Sequence, residues 1–335
     1  MAYTESEARK LVLEAGLELV RKGLIARTWG NISARISESE CIITPSGRSY
    51  DSLTPEELVK LNINDLSYPG TIKPSSEKGL HAEVYKLRPD IDFIIHTHQY
   101  YASIVGLEGR SYPYAAATEY GMPGTKKLCA NVAKAVADNP DQKNFFMTKH
   151  GSLSLGTDMD DAFAQAEALE EACRKRVEEK MALVRTDGKA EEDLDFICSL
   201  RDAASKAYGF KKSAYVSDPD VVERSRSAAA LVPRIDDFAM ICGPDVKSIE
   251  KTVKPAVSAL RGRNAVLIRN MGAVIFGNSD DDVSAISMIL AKNCACDRYA
   301  AIVPGCGRVS RPEAVLQRSI YTRKYSKQKS QNVQR

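Results

Sequence analysis

Ile91-Asp92-Phe93-Ile94-Ile95 runs directly into His96-Thr97-His98, and Asn144-Phe145-Phe146-Met147-Thr148 leads in the same way into Lys149, His150 and Gly151. Short apolar runs of this kind read as buried strands. Side chains alternate faces along a strand, so His96 and His98 project to one side while Thr97 points to the other. The chain has only four histidines, and three of them can be placed around one divalent cation. Any one of the three has an ordinary packing explanation. Together they describe an open site of neutral imidazoles, the form that metal catalysis takes, rather than a closed structural site.

Outward from these runs, the first half alternates helices and strands. Thr4 and Glu7 form a capping box, apolar residues recur at 8, 11, 12, 15, 19 and 20, and Gly23 stops the helix. Short strands are expected near Ile32–Ile36 and Cys41–Thr44, and Thr54-Pro55-Glu56-Glu57 opens a short helix. Ser76 is read as the cap of a helix that Pro89 ends. Another helix covers about 125–138, and Thr157 or Asp158 opens a long one reaching about Leu183.

Three turn segments in this half, Gly30-Asn31, Thr44-Pro45-Ser46-Gly47 and Pro74-Ser75-Ser76, are rich in hydroxyls and backbone donors. Singly each is a turn; jointly they suit an anion such as phosphate. Glu77 follows the paired serines, where a carboxylate beside three imidazoles can ligate a metal or act as a base next to a polarised carbonyl.

These motifs, in this order and spacing, resemble the class II aldolase/adducin family, and within it most closely the L-fuculose-1-phosphate aldolase branch. The resemblance covers about residues 5–182. It implies a three-layer α/β/α domain with a central, mostly antiparallel sheet, and a homo-oligomer, usually a tetramer. It also implies a divalent metal, Zn²⁺ or else Mn²⁺ or Co²⁺, on His96, His98 and His150. By the same resemblance Gly30, Asn31, Ser46, Gly47, Ser75 and Ser76 bind the phosphate of a small sugar phosphate, and Glu77 transfers a proton and is a further candidate metal ligand. Tyr120, four residues before Gly124-Thr125, takes the role of protonating the aldehyde oxygen, with Tyr112 and Tyr114 close enough to compete. The reaction implied is reversible aldol cleavage of a ketose phosphate. The family's 4-epimerases generally have aspartate where this chain has Glu77; epimerisation and decarboxylation stay as alternatives within the family, and an adducin-like binding protein as the non-enzymatic one.

The second half departs from that pattern. A gapless shift of 121 residues aligns Lys126 with Lys247, Val132 with Val253, Gly151 with Gly272, Gly156 with Gly277, Asp160 and Asp161 with Asp281 and Asp282, and Cys173 with Cys294. Recurrence of glycines, an acidic helix start and apolar helix positions reads as duplication. His150 aligns with Met271 and no histidine lies beyond 185, so the duplicate is expected to hold no metal. The expected organisation is a catalytic domain over 1–185, a polar helical connection over 186–230, a degenerate half-domain over 231–322 and a basic tail over 323–335.

Composition agrees with a cytoplasmic protein. The eight cysteines form no Cys-x-x-Cys pair, and no apolar stretch reaches membrane-spanning length. The net charge is +3, and the tail carries Arg323, Lys324, Lys327, Lys329 and Arg335 without an acid. A tail of this kind is read as solvated, so no nucleic-acid or membrane partner is implied.

Overall fold

The computed structural model describes residues 3–25, 29–182 and 192–325. The chain forms two compact units, Met1–Val177 and Glu178–Arg335. In the first, α1 (Glu5–Arg21) starts at the Thr4/Glu7 capping box, and its apolar stripe Ala8, Val12, Ala15 and Leu19 is fully buried. Strands β1 (Asn31–Arg35), β2 (Glu40–Ile43) and β3 (Val59–Asn62) follow, then α2 (Lys78–Leu87), β4 (Phe93–Thr97), α3 (Tyr100–Val105), β5 (Ala116–Ala117), α4 (Lys126–Asp138), β6 (Asn144–Met147), β7 (Gly151–Gly156) and α5 (Met159–Met181).

The strands form one sheet in the order β3-β2-β1-β4-β7-β6-β5. Every pairing is antiparallel except β5 with β6. Strand alternation separates two cores. Ile94, Phe145 and Leu153 face Leu80 and Val84 of α2 and Leu128 and Val132 of α4. On the other face Ile32, Ala34, Phe93 and Ile95 meet Ala8, Val12 and Leu19 of α1 and Phe163 of α5. Each large apolar side chain removed from water in these layers stabilises the domain by about 1.5–3 kcal/mol. The result is the three-layer α/β/α arrangement with a mostly antiparallel central sheet.

One local expectation is corrected. Ser76 does not cap α2: Glu77 occupies the cap position, and it is Ser75 whose hydroxyl accepts from Glu77 N–H, at 3.2 Å. The Glu77 side chain makes no cap bond and turns instead to Asn31 and His150.

The second unit contains α6 (Leu194–Tyr208), β8 (Lys212–Val216), α7 (Pro219–Ser225), α8 (Asp236–Ile241), β9 (Ser248–Ile249), α9 (Val253–Ala259), β10 (Ala265–Ile268), β11 (Gly272–Gly277), α10 (Asp280–Ile302) and α11 (Arg311–Ile320). Its sheet runs β8-β11-β10-β9, with β9 and β10 parallel. The core joins Phe196 and Leu200 of α6 to Val266, Ile268, Val274 and Phe276. Residues 186–230 are therefore not just a connection: within their described part, β8 pairs along its whole length with β11. The alternation Lys212-Ser213-Ala214-Tyr215-Val216 is short and weakly apolar, which hid the strand. The expected boundary at 185 and the tail from 326 onward lie outside the described residues. Among the described residues, no helix is long and apolar enough to cross a membrane.

Candidate metal centre

The centre of the sheet builds the site. Asn31 on β1 lies opposite His96 on β4, and His96 lies opposite Leu153 on β7. Ser33, Asn31, Ile94 and His96 consequently face α2, and His98 follows one residue past the strand end on the same side. His150 arrives from the turn between β6 and β7, where its N–H donates to Met147 O at 2.8 Å and Lys149 takes a left-handed φ of 64°. That conformation is uncommon outside glycine and marks a turn held in place by its surroundings.

Two glycines permit the close approach of these segments. A Cβ on Gly151 would lie 2.4 Å from Thr97 O and 3.0 Å from Cε1 of His96. Gly30, with φ of 93°, brings its backbone against His96, so that a Cβ there would lie 2.4 Å from His96 O. Side chains at either position would push β4 away from its neighbours.

The three imidazoles pack with ring centroids 4.8–5.0 Å apart, and their ligand atoms lie within 4.8 Å of one another. His96 Nδ1–H donates to the carbonyl of Ser152 at 2.8 Å, which leaves Nε2 as a bare lone pair turned into the cluster. Burial drives the His96 pKa down to about 3, despite the nearby Glu77 carboxylate, so this ring is neutral. Neutral, oriented imidazoles are what a divalent ion requires. His98 Nε2 lies 3.0 Å from His96 Nε2, a convergence of nitrogens that an ion between them resolves. The donor set therefore fits a divalent metal, and among the described residues this is the one group of its kind.

Glu77 closes the site from α2. Its Oε1 is 3.0 Å from His150 Nε2, and its Oε2 is 3.3 Å from His96 Nε2. Asn31 Nδ2 donates to Oε2 at 2.8 Å. Burial by itself would raise this carboxyl; the hydrogen bonds it accepts from His150 and Asn31 oppose that and hold the group below the usual carboxylate range.

The other expected residues distribute unevenly. The Pro45 and Pro74 segments bridge, and Ser46 N–H donates to Lys73 O at 2.9 Å, so the two hydroxyl-rich turns are neighbours. Ser75 is buried and engaged with Glu77, while Ser76 is exposed beside Gly124. Asn31 points its amide at Glu77 rather than at the turns. The Tyr120 ring is capped by Lys149 Nζ at 4.5 Å, next in sequence to His150. Tyr112 and Tyr114 instead stack on each other, against Phe146. The fourth histidine, His81, is fully buried on α2 and hydrogen-bonded to Asn31.

The family profile described as class II aldolase and adducin N-terminal domain matches residues 10–177, half of the chain. The chain belongs to this family. Class II aldolases depend on a divalent metal, and the site geometry agrees with that requirement. Among solved structures, an L-fuculose 1-phosphate aldolase is 28% identical, with a TM-score of 0.48, over 54% of this chain and 89% of its own. YgbL of Klebsiella pneumoniae, a candidate aldolase/epimerase/decarboxylase, is 23% identical with a TM-score of 0.46, over 52% and 90%. The L-fuculose-1-phosphate aldolase of Thermus thermophilus is 22% identical with a TM-score of 0.44, over 53% and 97%.

Proposed function

We propose that the protein is a metal-dependent lyase that reversibly cleaves a ketose phosphate to dihydroxyacetone phosphate, or a close analogue, and an aldehyde. The observation that carries this reading is the meeting of the Glu77 carboxylate with Nε2 of His150, at 3.0 Å, and Nε2 of His96, at 3.3 Å. On this reading a proton-transfer carboxylate and an electrophile site meet at one point. His96, His98 and His150 would hold Zn²⁺, or Mn²⁺ or Co²⁺, and an ion bound there supplies electrophilic stabilisation of charge developing on substrate oxygens.

Glu77 then returns a proton to the substrate carbon that loses its bond, and removes it in the condensation direction. Asn31 fixes one carboxylate oxygen during that exchange. Backbone and hydroxyl donors of Gly30, Ser46, Gly47, Ser75 and Ser76 form the phosphate subsite, with Ser76 the most accessible of them. In the condensation direction Tyr120, beside Lys149, protonates the aldehyde oxygen, and in cleavage the proton of that hydroxyl passes back to it. A homo-oligomer in the cytoplasm fits the family and the eight free cysteines.

The test is a screen of ketose phosphates for release of dihydroxyacetone phosphate by protein of measured metal content. Near-stoichiometric metal with release supports the lyase. Epimer formation without release would replace it by an epimerase, and a metal-free, inert protein would end the enzymatic reading.

A further inference from the structure

A buried hydrogen-bonded chain leaves the metal centre in a direction the proposed reaction does not use. Glu77 Oε2 is 2.8 Å from Asn31 Nδ2, Asn31 Oδ1 contacts His81 Nε2, His81 Nδ1 is 2.7 Å from Ser33 Oγ, and Ser33 Oγ is 2.8 Å from Tyr85 Oη. Ser33 and His81 are fully buried, and Tyr85 is 1% and Asn31 6% exposed. An ionised carboxylate can only accept, so the amide nitrogen of Asn31 must face Glu77 and its oxygen must face His81. His81 then has to present Nε2–H. In a neutral ring Nδ1 is left to accept from the Ser33 hydroxyl, whose oxygen accepts in turn from Tyr85. Each bond fixes the sense of the next, and all four donate toward the carboxylate.

We propose that His81 is a positioning residue: its Nε2–H locks the Asn31 amide in the one orientation that donates to Glu77, and so sets which carboxylate oxygen is free to move a proton. Burial, only partly opposed by Glu77, holds His81 at about 4, which keeps the ring neutral across the physiological range. Without His81 the Asn31 amide could turn over and offer its oxygen to Glu77.

The functional part of this rests on the lyase reading; the geometric part does not, and two measurements keep them apart. Long-range ¹H–¹⁵N correlation of the histidine rings in the intact wild-type protein is expected to give His81 protonated at Nε2 and bare at Nδ1 between pH 6 and 8. An Nδ1–H tautomer, or a doubly protonated ring, overturns the proposal whatever the protein catalyses. Second, deuterium uptake into dihydroxyacetone phosphate in D₂O should fall about 10–100-fold in kcat for His81→Leu, with KM and bound metal within about twofold of wild type. His81→Gln, which keeps a donor toward Asn31, should recover most of that loss. Unchanged kcat in His81→Leu, or loss of its metal, overturns the positioning role. No exchange by the wild type would reject the lyase reading and leave the tautomer measurement to decide the hydrogen-bonded chain.

An independent observation concerns the second unit. Strands β10 and β11 and helix α10 each begin and end 121 residues after β6, β7 and α5. Details inside them recur as well. Asn270 has φ of 61° where Lys149 has 64°. Met271 N–H donates to Ile268 O as His150 N–H does to Met147 O, and Asn278 N–H meets Asp282 as Thr157 N–H meets Asp161. Upstream, β8 pairs with β11 in the register of β4 with β7, from Lys212 opposite Gly277 to Val216 opposite Ala273. Lys211 N–H donates to Gly277 O as Asp92 N–H does to Gly156 O.

We infer that the second unit is a duplicate of about residues 78–181, and that Tyr215, Ser217 and Met271 stand at the positions of His96, His98 and His150. The Tyr215 hydroxyl donates to the Met271 carbonyl, so residues 215 and 271 are neighbours, as residues 96 and 150 are. On this reading the duplicate keeps the frame of the metal centre with its ligands removed. Tyr215→His, Ser217→His and Met271→His, combined in full-length protein that also carries His96→Ala, His98→Ala and His150→Ala, should bind about one equivalent of Co²⁺ with visible ligand-field absorption. The double variant Ser217→His/Met271→His in the same background should bind more weakly and serves if the larger graft does not fold. Absence of Co²⁺ binding by whichever protein retains the wild-type circular dichroism overturns the assigned correspondence.

Discussion

Replacing His81 by glutamine should change how the first unit responds to acid, by an amount that follows from burial. His81 is fully buried and holds at about 4, against 6.5 for an exposed ring. In the unfolded chain the ring takes up a proton below about 6.5, and in the folded protein only near 4. Its folded pKa is thus depressed, so the stability it permits is complete above about pH 6.5 and is lost as pH falls toward 4. At about 1.4 kcal/mol per pH unit, the loss from this one residue is about 2 kcal/mol by pH 5 and about 3 kcal/mol by pH 4. A glutamine side chain in its place cannot titrate. Trp29 is the only tryptophan and lies in the first unit, so its fluorescence reports the relevant unfolding transition without interference from the second. Denaturant unfolding of metal-free protein at pH 7, 6 and 5 should find His81→Gln less stable at pH 7, with the gap to wild type narrowing by about 2 kcal/mol at pH 5. A gap that stays constant with pH would refute the claim that a neutral histidine is buried there.

Three further outcomes follow from the same geometry. His96→Ala, His98→Ala and His150→Ala should each lose most bound metal, as measured on purified protein by elemental analysis, while keeping the wild-type far-ultraviolet spectrum; full occupancy in all three would remove the metal assignment. Glu77→Gln should slow turnover about 10²–10⁴-fold, and wild-type kcat in this variant would exclude proton transfer by Glu77. Gly151→Ala places a methyl 2.4 Å from Thr97 O and should cost about 1–3 kcal/mol of stability by Trp29 fluorescence together with a weaker metal affinity; a neutral substitution would mean that β4 and β7 are not held as closely as described.

The histidine cluster was legible because its signal is local. Alternation along β4 puts residues 96 and 98 on one side, and the strand pattern around 145 needs no partner to be recognised. The layered fold was legible for the same reason, since capping boxes and helix periods are short-range. What escaped reading depends on register between distant segments. Asn31 meets Glu77 because β1 pairs with β4 so that 31 lies opposite 96, and nothing in Gly30-Asn31 announces that pairing. The place of His81 is equally silent in the sequence, because a helix face with Leu80, Val84 and Tyr85 gives no sign that its histidine will be wholly enclosed. Strand β8 was hidden by its lysine and serine, residues that a strand at the end of a sheet tolerates.

The imidazoles of His96 and His98 lie on one side, in sequence, of a segment that carries α3, β5, α4 and β6, and His150 lies on the other. An ion held by all three would therefore tie the chain into a ring of some fifty residues, in the manner of a covalent crosslink. A crosslink of that span removes about 4 kcal/mol of freedom from the unfolded chain in the loop-entropy description. Since the tie forms only when β4 and the β6–β7 turn are already side by side, it restrains escape from the folded state more than it guides arrival there. The protein with its metal should be hard to unfold rather than quick to fold, and a chelator should act on it slowly, at the pace with which that ring opens.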